Sequence, residues 1–310
     1  KLPFNFFSFL FLSLASIAFI VFLSKGESWG WFYSMKTFTA FCVFVASLLL
    51  FALSELISRH TLIDYSVFKE PNYLYALITF VVVYGLVFFQ VIYLLPIYLE
   101  SFKGVPTFQT GTTFLGFALL LGTFALIGGR LSDRTEPKLL LLISQSVLFL
   151  TLFFFLSHAD YYTPRWKIAL YMCFMGVAMG FFFAPLTALA FKSLKPHQIP
   201  IGTALYNYAR LIGASIATSL ATYTLETHRA LHFDQINELR SALSSSAFVS
   251  YMQKLSGLEA FRYKVALGQF QNLLAGTYAV QDAFRLASYM SILSLIITIT
   301  FLLITRRRRA

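Results

Sequence analysis

GRLSDRTEPK, residues 129–138, decides how this chain is read. It is a short, strongly charged stretch set directly between two long apolar runs. One run, dotted with glycine, ends at Gly128 and Gly129, and the next begins at Leu139, straight after Pro137 and Lys138. Two apolar runs joined by so short a basic connector predict a membrane helical hairpin. Its loop is expected on the cytoplasmic side, where basic residues are retained during insertion.

Outward from that loop the same pattern repeats. The 310 residues are 58% hydrophobic and only 12% charged, with a mean hydropathy of +0.73. Soluble domains hold about 45–50% apolar residues. A membrane span needs about 20 mostly apolar residues, and eight stretches supply them: 4–23, 38–57, 73–98, 112–129, 139–156, 168–191, 201–223 and 284–304. The expected fold is therefore an all-α integral membrane protein with eight transmembrane helices. Between the second and third spans lies an amphipathic connector, residues 58–71. Residues 226–282 form a long polar stretch on the outer side, with room for one or two amphipathic helices. Trp29 and Trp31 fit an interfacial belt.

The net charge of +11 does not point to nucleic acid. Basic residues sit at the ends of apolar runs and in the tail Arg306, Arg307, Arg308 and Arg309, where retention on the cytoplasmic side accounts for them. Eight spans put both termini of the chain on that side. Cys42 and Cys173 lie inside apolar runs, so neither a disulfide framework nor a metal spacing is formed. No Ser/His/Asp grouping marks an enzyme, and no cofactor is expected. The chain opens on Lys1 and leads at once into an apolar run, which reads as part of a longer polypeptide.

Ionisable residues inside a span are costly, about 2.5 kcal/mol or more, and point to function. Arg210 is such a residue. It sits about 14 Å into its span at ~1.5 Å per residue. Thr203, Asn207, Arg210, Ala214 and Ala217 share one face, expected to line a central cavity; the alternative is a structural pairing with a neighbouring helix. Gln90, Tyr84 and Tyr93 are expected to line the same cavity, or to make plain interhelical hydrogen bonds. Phe181, Phe182 and Phe183 offer an aromatic wall, though most of the 36 phenylalanines are expected to face lipid. Gly176 and Gly180 read as packing positions and Pro185 as a bend. Ala118, Gly122, Ala125 and Gly129 form a small-residue stripe that permits close helix approach. His228 and His232 lie one turn apart on a solvated face; two ligands are too few for a metal site, and none is expected.

The loop pattern carried by Gly129, Asp133, Arg134 and Lys138 also resembles the loop signature of the major facilitator superfamily, departing at Glu136, where that signature has Gly. Further stretches carry the likeness: Gly26, Trp29, Gly30 and Trp31; Leu62, Ile63 and Asp64 with Phe68 and Lys69; the Pro-containing run at 182–187; and Gly202, Thr203, Ala204, Asn207, Arg210, Gly213, Ser215 and Ser219. Together they resemble the fourteen-span drug:proton antiporter family, the EmrB-type multidrug exporters. The resemblance implies spans seven to fourteen of such a transporter. Residues 1–57 would be two linker helices, 58–72 a cytoplasmic connector, and 73–310 the C-terminal six-helix bundle with a periplasmic loop at 226–282. It further implies proton-coupled efflux of lipophilic drugs or toxic compounds across a bacterial inner membrane. The N-terminal six-helix bundle would carry the proton-coupling groups, and a periplasmic adaptor and outer-membrane channel would be partners. Asp133 and Arg134 would latch the bundle in one state; the alternative is that the loop sets topology alone. Transport of another solute, or a truncated chain that does not transport, are the other readings.

Overall fold

A computed structural model describes residues 5–58, 61–243, 254 and 260–307. The described residues are almost entirely helical, and among them there is no strand. Within them eight long helices follow one another: α1 (Phe6–Trp29), α2 (Met35–Ile57), α3 (Pro71–Phe102), α4 (Thr107–Ser132), α5 (Pro137–His158), α6 (Arg165–Lys192), α7 (Ile199–Leu243) and α8 (Ala260–Arg307). Seven of them are long and apolar enough to cross a membrane. The seven leave out α7, whose apolar length is interrupted by Thr203, Asn207 and Arg210. It nevertheless packs along α1, α3 and α8 within the bundle.

The decisive loop is shorter than its sequence suggests. Gly129 to Ser132 are the last turn of α4, and Pro137 is already the first residue of α5, so only residues 133–136 connect them. Proline suits that first position because its missing N–H has no intrahelical partner there anyway. Lys138 turns inward: its Nζ donates to Thr305 Oγ1 at 3.1 Å and lies 4.6 Å above the Phe301 ring. The loop and the end of α8 are thus at the same end of the bundle.

The first hairpin is closed by tryptophan. The α1 helix runs through Trp29, and Gly30 takes a left-handed φ of 79° that ends it, a conformation glycine adopts freely. Trp31 then folds back over Gly26, where a Cβ would meet the indole at 2.6 Å. Its Nε1 donates to Glu27 Oε2 at 2.7 Å. Within the connector a short 3₁₀ turn forms, Tyr65–Lys69. Glu55, buried at the end of α2, gathers it by accepting from the Leu62 and Ile63 amides and the Tyr65 hydroxyl. Asp64 caps the turn through the Ser66 amide, and hydrogen bonding by Ser66 holds its carboxyl below the usual carboxylate range.

The core lies where α3 meets α6 and α8. In lipid, apolar contact alone drives little association, so small residues and polar side chains matter more. Gly176 and Gly180 of α6 sit on the backbone of α4, where a Cβ would come within 2.6 Å of Phe117 O and 2.8 Å of Leu121 O. Gly122, by contrast, faces open space. Pro185 and Pro96 lie inside continuous helices. Pro96 is flanked by π-helical turns at Val81–Phe88 and Tyr98–Phe102. A buried polar chain joins three helices: Thr298 Oγ1 donates to Gln145 Oε1 at 2.8 Å and lies 2.9 Å from the Tyr75 hydroxyl.

Candidate functional site

The α3 and α7 helices cross on glycine. A Cβ on Gly85 would stand 2.7 Å from Gly213 Cα, and one on Gly213 would stand 2.8 Å from Gly85 Cα. The two helices start at the same end, where the Tyr73 hydroxyl donates to Gly202 O at 2.8 Å. That fixes their relative height. Phe80 stacks on Tyr206 with centroids 4.0 Å apart. Tyr84 and Arg210, each one turn further on, therefore stand at the same level.

An aromatic cluster occupies this level. Tyr84 stacks between Phe80 at 4.9 Å and Phe88 at 5.2 Å, with Phe183 of α6 edge-on at 5.1 Å. Phe88 continues the cluster to Phe117 of α4 at 5.8 Å. Of the three successive phenylalanines expected as a wall, only Phe183 joins it. Phe182 is buried in the core, and Phe181 packs on Phe124 at 5.0 Å. Phe80, Phe88 and Tyr206 were not singled out from sequence, although aromatic residues at 80, 84 and 88 recur at the four-residue interval of one helix face.

Beside the cluster, α7 presents Thr203, Asn207 and Arg210 on its exposed side. Thr203 and Asn207 bond only one turn back, to Ile199 O and Thr203 O. Arg210 makes no hydrogen bond or ion pair with another described residue. Ala217, further along, is buried.

The α3 residues divide differently from the sequence expectation. Tyr84, Gln90 and Tyr93 occupy three sides of the helix. Gln90 is fully buried and donates to Ala283 O of α8 at 3.3 Å. It makes the interhelical bond, not the cavity contact. Tyr93 accepts from Thr222 at 3.1 Å and borders a separate cavity of about 240 Å³ with Leu23, Glu27 and Thr218. Tyr84 thus turns toward Phe183 of α6, and Tyr93 toward Thr222 of α7 and Leu23 of α1.

At the loop end, Asp133 and Arg134 are exposed and make no side-chain bond to another described residue, while Gly129 lies in α4 with its Cα side toward Ala184. At the other end, His228 and His232 are not on a solvated face. Both are half-buried against Asp282 of α8, at 2.8 and 2.7 Å. Nearby, Lys103 Nζ is caged by the carbonyls of Tyr161 and Thr163 at 2.6 and 2.5 Å, and burial pulls its pKa below the usual lysine value.

Comparison with known proteins fits this architecture. The family model described as Major Facilitator Superfamily matches residues 4–218. The chain is 28% identical over 233 residues to "Uncharacterized MFS-type transporter YcnB" of Bacillus subtilis (strain 168), covering 73% of this chain and 48% of that protein. It is 24% identical over 243 residues to "Multidrug export protein EmrB" of Escherichia coli (strain K12), covering 77% and 46%. To "Fatty acid resistance protein FarB" of Neisseria gonorrhoeae it is 25% identical over 219 residues, covering 70% and 42%. The chain spans about half the length of the curated relatives it matches.

Proposed function

The chain belongs to the Major Facilitator Superfamily, and from that premise we propose that it is the C-terminal part of a proton-coupled exporter of lipophilic toxic compounds. Transporters of this build rock two bundles about a site near the midplane. In this reading α3–α8 form one bundle, α1 and α2 the linker helices, and a second six-helix bundle supplies the proton-coupling carboxylates.

One observation carries the proposal. Arg210 stands about 17 Å into α7, exposed and without a partner among the described residues, beside the Tyr84–Phe183 cluster. A charge at that depth facing lipid costs about 2.5 kcal/mol or more. The face is accounted for if it borders water, a substrate and the second bundle. Thr203, Asn207 and Arg210 then supply polar contacts, and the aromatic cluster supplies the apolar ones. A cationic group beside aromatic rings suits lipophilic weak acids. The name of one relative, a fatty acid resistance protein, agrees with that substrate class.

The loop with Gly129, Asp133, Arg134 and Lys138 acts as the conformational latch: Lys138 ties it to α8, leaving Asp133 and Arg134 to meet the second bundle. The protein sits in the bacterial inner membrane with the loop and the chain's termini cytoplasmic. The opposite end, with the extensions of α7 and α8, docks a periplasmic adaptor that leads to an outer-membrane channel.

The test is efflux. The chain is co-expressed with the N-terminal six-helix half of a relative in a drug-sensitive host, and loss of a preloaded lipophilic dye is followed. Efflux that stops when an uncoupler collapses the proton gradient is the expected result. Correct insertion with no gradient-dependent efflux of neutral, cationic or acidic dyes would sink the proposal.

A further inference from the structure

Both long helices overshoot the bilayer. Counted from Ile199 and Arg307, His228 and Asp282 lie about 44 and about 38 Å along α7 and α8, beyond a hydrocarbon core of ~30 Å. There the extensions pair side by side: Arg229 donates twice to Asn272 Oδ1, at 3.1 and 3.0 Å. Gln281 donates to Ala159 O at 3.1 Å, which places this region at the end of the bundle opposite the 133–136 connection.

We propose that His228, His232 and Asp282 bind a divalent transition metal of the Zn²⁺ class and that the ion clamps the two extensions together. This goes beyond the transport reading and does not rest on it.

The ligand set is convergent. His228 Nδ1 and His232 Nε2 both point at one oxygen, Asp282 Oδ2, from 2.8 and 2.7 Å. All three ligand atoms lie within 4.8 Å of one another. In a tetrahedral site with metal–ligand bonds of about 2.0–2.1 Å, neighbouring ligand atoms stand about 3.3 Å apart. Opening the His–Asp contacts by about half an ångström and closing the His–His gap admits the ion, a movement of side chains alone.

The surroundings are arranged as a second layer of ligand support. His232 Nδ1 lies 3.2 Å from Gln235 Oε1, the acceptor that would hold the proton on Nδ1 and leave Nε2 free to ligate. Arg285 donates to Asp282 Oδ1 at 3.2 Å, so only Oδ2 faces the histidines. Its positive charge lowers affinity while it orients the carboxylate. The side chains of His228, His232 and Asp282 keep 41%, 25% and 18% of their surface, which leaves the fourth position open to water or to a ligand from a docked partner. Two imidazoles and one carboxylate suit Zn²⁺ or a neighbouring divalent ion rather than Mg²⁺ or Ca²⁺, which take oxygen ligands.

The test uses the untagged chain in detergent, stripped with chelator and then given Zn²⁺ or Co²⁺. One Zn²⁺ per chain is expected to survive dialysis, and Co²⁺ is expected to give the visible absorption of a four- or five-coordinate nitrogen and oxygen site. Asp282→Asn and His232→Gln, which keep a hydrogen-bonding side chain, should each weaken Zn²⁺ at least tenfold. Gln235→Leu should weaken it by about tenfold. Arg285→Gln should tighten it. His197→Gln, at the opposite end of α7, should leave it unchanged. Zn²⁺ binding by the unaltered chain no tighter than by Asp282→Asn overturns the site, leaving a hydrogen-bonded latch. So does a Co²⁺ complex without visible bands, a measurement that needs no variant.

Discussion

Replacing Arg210 with alanine is expected to cut export of a lipophilic carboxylate about tenfold to a hundredfold at low substrate, while export of a neutral dye falls less than about threefold. Arg210 is the charged group beside the Tyr84–Phe183 cluster, and no described residue neutralises it. A hydrogen bond to a charged group contributes about 1.5–3 kcal/mol, and each 1.4 kcal/mol is tenfold. Lysine keeps the charge but not the planar fork of donors, so Arg210→Lys should fall between. Equal loss for the acid and the neutral dye would make Arg210 a structural residue. No loss for either would remove it from the site. Transport is measured in the co-expressed pair, with surface expression of each variant matched.

Gly213→Leu is expected to damage the bundle where α3 and α7 cross. Its Cβ would stand 2.8 Å from Gly85 Cα, and Gly85 answers with backbone at 2.7 Å. No flexible side chain is there to give way, so α3 and α7 must separate. Overpacking costs about 1–3 kcal/mol and occasionally more, and backbone against backbone belongs at the top of that range. For a chain of this size the unfolding midpoint should fall by roughly 3–10 °C. Separation of the helices should also displace Tyr206 from Phe80 and move the face that carries Arg210. Gly122→Leu is the control, because a side chain there meets nothing within 4 Å. A Gly213→Leu protein that melts no earlier than Gly122→Leu would show that the crossing is looser than the structure has it.

What was legible in the sequence was what hydropathy and local spacing control. The apolar runs located the eight helices, and the all-α membrane class followed from them; the family followed from the resemblance carried by the charged loop and the helix motifs. Even there, α7 dropped out of the helices apolar enough to span, because the polar residues Thr203, Asn207 and Arg210 lower its hydropathy. Side-chain direction was partly legible and misjudged. Tyr84 and Tyr93 were grouped by proximity along the chain, whereas Tyr84 packs on Phe183 of α6 and Tyr93 bonds Thr222 of α7. Gln90 went to α8 because a buried amide in lipid needs a polar partner, and Ala283 O provides it.

The features that escaped are the long-range ones. His228 and His232 are a visible pair at one-turn spacing, yet Asp282 lies 50 residues beyond His232. It meets them because α7 and α8 extend past the membrane and pair again there. Glu55 lies within the second expected span, 38–57. It is the acceptor that gathers the connector, seven and eight residues further on. Neither pairing leaves a trace in periodicity.

The most direct test is whether the Asn207–Arg210 face of α7 lines a watery, substrate-bearing cavity. Asn207→Cys is placed in a Cys42→Ser, Cys173→Ala background, paired with an N-terminal half likewise freed of cysteine, and exposed in sealed vesicles to a charged, membrane-impermeant thiol reagent. Rapid labelling from one side, slowing several-fold when a transported acid is present, is the result expected of a cavity-lining face. An introduced thiol that reacts only with lipid-soluble maleimides, at a rate no substrate changes, would put that face against lipid and contradict the cavity.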